Sequence, residues 1–190
     1  MKLIITSLLL VIISTSAMAQ VEIGANAGLV STTFLSEQDA NTVKWGAGIS
    51  MRFSTSPNWG IRLEANYHDR SFKGTESGPE PFDFKCSQGF LGFGLLMDYR
   101  AHNKFGVLFG LSVGSTLYEN HDPKTTPGGY SYRHADESET ELGVLGGLSY
   151  TVLDGRLTIE GRAQLGATFR YQYATYKLVA RYNIPLKEKN

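Results

Sequence analysis

Three sets of residues carry side chains and spacings that could do chemistry. His134, Asp136 and Ser138 supply a base, an acid and a hydroxyl nucleophile in one short stretch. Alternation along a strand edge would set neighbours in that series ~6–7 Å apart, whereas a nucleophile and its base must meet at ~3 Å. His121, Asp122, His134 and Asp136 have metal-ligand chemistry, but their spacing matches no ligand signature. The third set is eight charged residues, four of each sign: Glu22, Arg52, Arg62, Glu64, Asp98, Glu160, Arg162 and Arg181. The single cysteine, Cys86, excludes an intramolecular disulfide framework and a cysteine zinc cluster. It reads as a small packed thiol. No catalytic residue, cofactor or metal is assigned.

The elements that must position these residues are strands. The chain has 190 residues, 21 of them glycine, and is 42% hydrophobic and 12% aromatic. That length fits one domain. Its formal net charge is zero, which argues against nucleic acid as a partner, since that would call for a basic patch or stripe. Lys2, the apolar run Leu3–Ile13 and the small-x-small site Ala17-Met18-Ala19 read as an export signal over residues 1–19, too short to span a membrane. Residues 20–190 then form one barrel domain. No later stretch reaches the ~18 consecutive apolar residues of a membrane helix.

From Val21 onward apolar residues recur at period two, the spacing of strands. Eight segments result: Val21–Ser31, Val43–Phe53, Trp59–Phe72, Phe84–Tyr99, Phe105–Leu117, Ser138–Val152, Arg156–Tyr171 and Tyr176–Leu186. Their connections alternate. Ser54–Asn58, Arg100–Lys104 and Leu153–Gly155 are short, whereas Thr32–Thr42, Lys73–Asp83 and Tyr118–Glu137 are long, with a short return at Gln172–Thr175. Short turns at one end and long loops at the other are the pattern of transmembrane barrels. The expected fold is an all-β, eight-stranded antiparallel up-and-down transmembrane barrel, monomeric, with both termini in the periplasm.

A soluble barrel would turn its apolar face inward. Three features argue the reverse. The opposite face is rich in glycine (Gly24, Gly46, Gly60, Gly94 and Gly110 among others), and an eight-stranded interior is only just wide enough for side chains. Phe53, Trp59, Tyr99, Phe105, Tyr150 and Tyr182 fall on the apolar face at the short-turn end of their strands, as an interfacial girdle should. Trp45, Tyr67, Phe169, Tyr171 and Tyr176 would form the second. The third feature is the alternating last strand, Leu178 to Leu186, which is suited to the barrel-assembly machinery although Leu186 stands where an aromatic is usual.

The opening VEIGANAGLVST, the hairpin WGAGISMRFSTSPNWGIRLEANY and the closing LVARYNIPL resemble the bacterial outer-membrane β-barrel domain family, often termed porin family, of the Bacteroidetes type. The resemblance implies a Gram-negative cell-envelope address in the outer membrane and brings no catalytic residue or agreed substrate.

Strand parity points the eight charges inward near the short-turn end, as a neutral belt. Glu22 would lie between the strands of Arg52 and Arg181, and Arg62 and Glu64 would face the strand of Asp98. The belt reads as a plug of paired charges. The alternative is a salt-bridge gate in a narrow ion or solute pore; a wide pore is excluded by the strand number. His68 reads as a lumen hydrogen-bonding group beside Arg70, and His102 as a solvated turn residue. In the long loop 118–138, Asp122, Tyr130, Tyr132, His134 and Asp136 are candidates for contact with an extracellular ligand, because function concentrates on loops held by a rigid scaffold. The expected role is structural or surface-interacting and non-enzymatic, with outer-membrane lipid as surroundings. A lipid-modifying enzyme is the second alternative.

Overall fold

The computed structural model describes residues 20–34, 43–76, 82–101, 104–121, 140–153, 155–168 and 172–185. Its eight strands, in chain order, are β1 (Gln20–Phe34), β2 (Val43–Ser54), β3 (Trp59–Glu76), β4 (Phe82–Arg100), β5 (Phe105–His121), β6 (Thr140–Val152), β7 (Leu157–Ala167) and β8 (Gln172–Pro185). Each pairs antiparallel with its sequence neighbour, and β1 pairs with β8, so the sheet closes without an edge. Closure matters in lipid, where an unpaired backbone group finds no water.

The faces of the strands obey the expected parity. On β4, Phe93, Leu95 and Met97 are exposed while Leu96 and Asp98 are buried. Leu111 is 61% exposed and Ile49 66%, whereas Leu96 and Leu108 are fully buried. The outer wall is thus a continuous apolar band, far beyond the few hundred Å² that a soluble monomer leaves uncovered. Among the described residues no helix is long and apolar enough to cross a membrane; the strands themselves are the crossing element.

The aromatic girdles bound this band. At the short-turn end Trp59 stacks on Tyr99 at 4.6 Å and Phe105 on Tyr150 at 4.8 Å. At the other end Trp45 meets Tyr67 at 6.2 Å. Trp59 and Tyr67 are eight residues apart on β3. At ~3.3 Å per residue and a ~40° tilt, the girdles stand about 20 Å apart, close to the ~25 Å apolar band of outer-membrane barrels. Phe169 and Tyr171, also expected there, lie outside the described residues.

The strands run further than the apolar alternation reaches. The segment Lys73–Asp83, expected as a loop, is mostly strand: β3 and β4 stay paired to Glu76↔Phe82. Tyr118–His121 belongs to β5, not to the loop beyond it, and Gln172–Thr175 opens β8 instead of connecting to it. Conversely β7 ends at Ala167 and β6 begins at Thr140. In these extensions the sequence lacks the apolar alternation that marks the rest of each strand.

A bulge sets one outer residue. The β4–β5 register shifts between Gly89 and Phe90, which pair with Tyr118 and Thr116, leaving Leu117 as the extra residue. A bulge re-aims the side chains beyond it. Tyr118, inward by simple parity, faces out instead, and its hydroxyl donates to Asp69 Oδ1 at 2.9 Å. Tyr67 donates to the same oxygen at 2.6 Å.

Candidate functional site

The inward face carries the polar chemistry. Room for it comes from glycine. A Cβ on Gly60 would lie 2.8 Å from the Arg52 guanidinium, one on Gly24 3.2 Å from Arg181 Cγ, and one on Gly147 2.9 Å from Leu108. A narrow bore can hold large side chains on some strands only if their neighbours have none.

The predicted belt forms. Arg52, Arg62, Glu64, Asp98, Glu160, Arg162 and Arg181 are all buried, and Glu22 is half-buried. Arg52 Nε donates to Asp98 Oδ2 at 3.2 Å, and Arg62 pairs with the same oxygen. Across the bore, Arg62 Nη1 donates to both oxygens of Glu160 at 2.8 and 3.1 Å. Arg162 returns the contact, donating from Nη1 and Nη2 to Glu64 at 2.6 and 2.8 Å. Arg162 also pairs with Glu160 on its own strand, and Arg181 Nε donates to Glu160 Oε1 at 3.1 Å. Strands β3 and β7 lie four places apart in the eight-strand ring, so these bonds span its diameter.

Glu22 lies between the strands of Arg52 and Arg181, as expected; its own partners are Arg52 at 3.6 Å and Arg100, from which it accepts at 3.2 Å. Arg100, expected in a turn, ends β4. Arg62 and Glu64 face the strand of Asp98, as expected, and Glu64 accepts its hydrogen bonds from Arg162, Arg62 and Asn66. In a barrel, shear and tilt decide which inward residues meet, and strand order alone does not give them.

A second polar storey lies toward the outer end, where the expected His68 and Arg70 are joined by Glu141 and Gln164, which are not among the sequence expectations. Arg70 Nη2 is 2.7 Å from Glu141, and Gln164 donates to Glu141 Oε1 at 2.9 Å. Arg70 Nε donates to His68 Nε2 at 3.1 Å, so that nitrogen carries a lone pair. The guanidinium lies 3.7 Å from the Phe90 ring centre and 4.9 Å from that of Tyr173. His68 is thus the lumen hydrogen-bonding group expected of it. Glu141 and Gln164 share inward parity with Gly143 and Gly166, the signal that could have found them.

Between the storeys is a cavity of about 30 Å³, lined by Glu64, Asn66, His68, Ser112, Arg162 and Lys177 among others. That is the space of one or two waters. Among the described residues no cluster of three or more His, Cys, Asp or Glu could hold a metal ion. Asp122, Tyr130, Tyr132, His134, Asp136 and Ser138 lie outside the described residues, as does His102.

A lipid-facing apolar wall around a charged, packed bore is the architecture of a bacterial outer-membrane barrel. Residues 5–184 match the family profile of the outer membrane protein beta-barrel domain. The chain belongs to that family. No curated protein sequence matches it. Among solved structures it is similar to Ail, the attachment invasion locus protein of Yersinia pestis, in complex with the heparin analogue sucrose octasulfate. The TM-score is 0.56 and the identity 15%, over 87% of this chain and 99% of Ail. It is also similar to the outer membrane protein OprG from Pseudomonas aeruginosa, with a TM-score of 0.54 and 10% identity over 88% of this chain and 97% of OprG. At these identities the likeness is one of fold. The family places the chain in the bacterial outer membrane.

Proposed function

We propose that this family member is a closed-bore barrel with a structural or surface-interacting role, working from its outer end and not through its lumen. The observation that carries the reading is the pair of diametric contacts, Arg62 with Glu160 and Glu64 with Arg162. They join opposite walls in a space whose cavity holds only a water or two. Four arginines face four carboxylates in the belt, so the charges hold each other without a permeating ion. Removing one partner from a buried pair is costly, which makes the closure stable and not a fluctuating gate. Strand β1 begins and β8 ends at the short-turn end, which on this reading is the periplasmic one. The longer strands β3, β4 and β5 rise at the other end, which on this reading faces the exterior. The reading is non-enzymatic.

Single-channel recording in planar bilayers tests it. The wild-type barrel is expected to give no stepwise current. Regular ion-sized steps, altered by Arg62→Ala or Glu160→Ala, would replace the reading with a pore. A mass shift in lipid A that depends on His134 would replace it with an enzyme.

A further inference from the structure

The belt pairs Arg52, Arg62, Arg162 and Arg181 with four carboxylates, Arg100 shares Glu22, and the outer storey pairs Arg70 with Glu141. Among the described residues the inward lysines Lys44 and Lys177 form no ion pair, and Lys177 borders the cavity. Lys177 on β8 faces the bore, sharing parity with buried Thr175, Val179 and Arg181. It lies in register with Val30 on one side and Arg162 on the other. Its charged neighbours are Arg70 and Arg162, which repel it, and Glu64 and Glu141, which attract it. Both carboxylates are already engaged: Glu64 by Arg162, Arg62 and Asn66, and Glu141 by Arg70 and Gln164. Among the described residues no carboxylate forms an ion pair with Lys177.

Lys177 is half-buried in the bore wall, and a partly desolvated charge gains from a partner. The cavity beside Lys177 supplies the room. Its walls carry the Glu64 carboxylate, already held by Arg162, together with the Ser112 hydroxyl and with the Arg162 guanidinium and the Asn66 and Gln164 amides, each of which keeps one N–H beyond the bonds already described. The Ser112 hydroxyl is buried with no hydrogen-bond partner. A volume of about 30 Å³ admits a monatomic anion.

We infer that this cavity is a halide site, in which Lys177 and Arg162 hold one chloride-sized anion between the two polar storeys. The site rests on the closed bore, yet it fails separately: a barrel that conducts no ions can still lack a bound halide.

The test refolds the full chain from urea into detergent micelles in sodium chloride, sodium bromide or sodium gluconate at equal ionic strength. Wild-type protein should show a saturable rise in unfolding midpoint with chloride or bromide over gluconate, and Lys177→Met should lose that dependence. Bromide-grown crystals of the wild type, which need no variant to fold, should give an anomalous peak beside Lys177. Equal midpoints in all three salts, with no anomalous peak, would overturn the site and leave a neutral amine with water. A halide dependence that persists in Lys177→Met would also overturn it.

Discussion

Glu160 on β7 accepts two hydrogen bonds from Arg62 on β3, at 2.8 and 3.1 Å, although the two strands are on opposite sides of the barrel. A contact of that kind closes the bore and also fixes how the opposing walls are set against each other. Replacing either residue by alanine leaves a buried, uncompensated charge and is expected to cost about 3–5 kcal/mol. The double replacement Arg62→Ala with Glu160→Ala should cost less than the sum of the two single replacements. Urea unfolding in lipid vesicles, arranged as a double-mutant cycle, measures the difference. Additive single effects would show that the pair is not coupled.

The glycines separate into those the fold requires and those it tolerates. A Cβ on Gly28 would lie 2.1 Å from the Leu178 carbonyl oxygen, while one on outward Gly161 meets nothing within 4 Å. Gly28→Ala should therefore destabilise by about 1–3 kcal/mol through overpacking. Gly161→Ala should stay within about 0.5 kcal/mol of wild type. The same unfolding assay distinguishes them.

Depth in the bilayer gives a third contrast. Leu95 and Leu111 lie opposite one another on β4 and β5 and are exposed on the outer wall. Arginine at either is expected to cost about 2–4 kcal/mol near the midplane. Arginine at Val43, exposed at the outer end of β2, should cost only about 0–1 kcal/mol. Unfolding from vesicles reads both depths.

Much of this molecule is legible in its alternation. Leu91, Phe93, Leu95, Met97 and Tyr99 announce one face of β4, and the same parity turns Arg52, Arg62 and Glu160 inward. Lipid dictates that pattern only within its own thickness. Above the outer girdle, residues 73–76 and 82–83 are paired strand without apolar alternation, so they read as loop. The bulge at Leu117 leaves no mark in composition, and it alone puts Tyr118 against Asp69. Partner choice across the bore is the least legible feature. Parity says that Glu22 and Arg181 face the same lumen, but strand tilt and shear decide that Arg181 meets Glu160 and Glu22 meets Arg100. The Arg70–Glu141 storey is accessible to the same parity argument, since Glu141 alternates with Gly143.

The central claim is that acyl chains wet the apolar wall while the polar side encloses a closed bore. Spin labels placed one at a time at Leu95, Leu111, Ser50 and Ser112, in a Cys86→Ser background in lipid bilayers, test it most directly. Labels at Leu95 and Leu111 should be accessible to oxygen and shielded from a water-soluble nickel chelate, and labels at Ser50 and Ser112 should be shielded from both. High nickel accessibility at Ser50 and Ser112 would mean a water-filled bore, and low oxygen accessibility at Leu95 and Leu111 would mean that the apolar face is not turned to lipid.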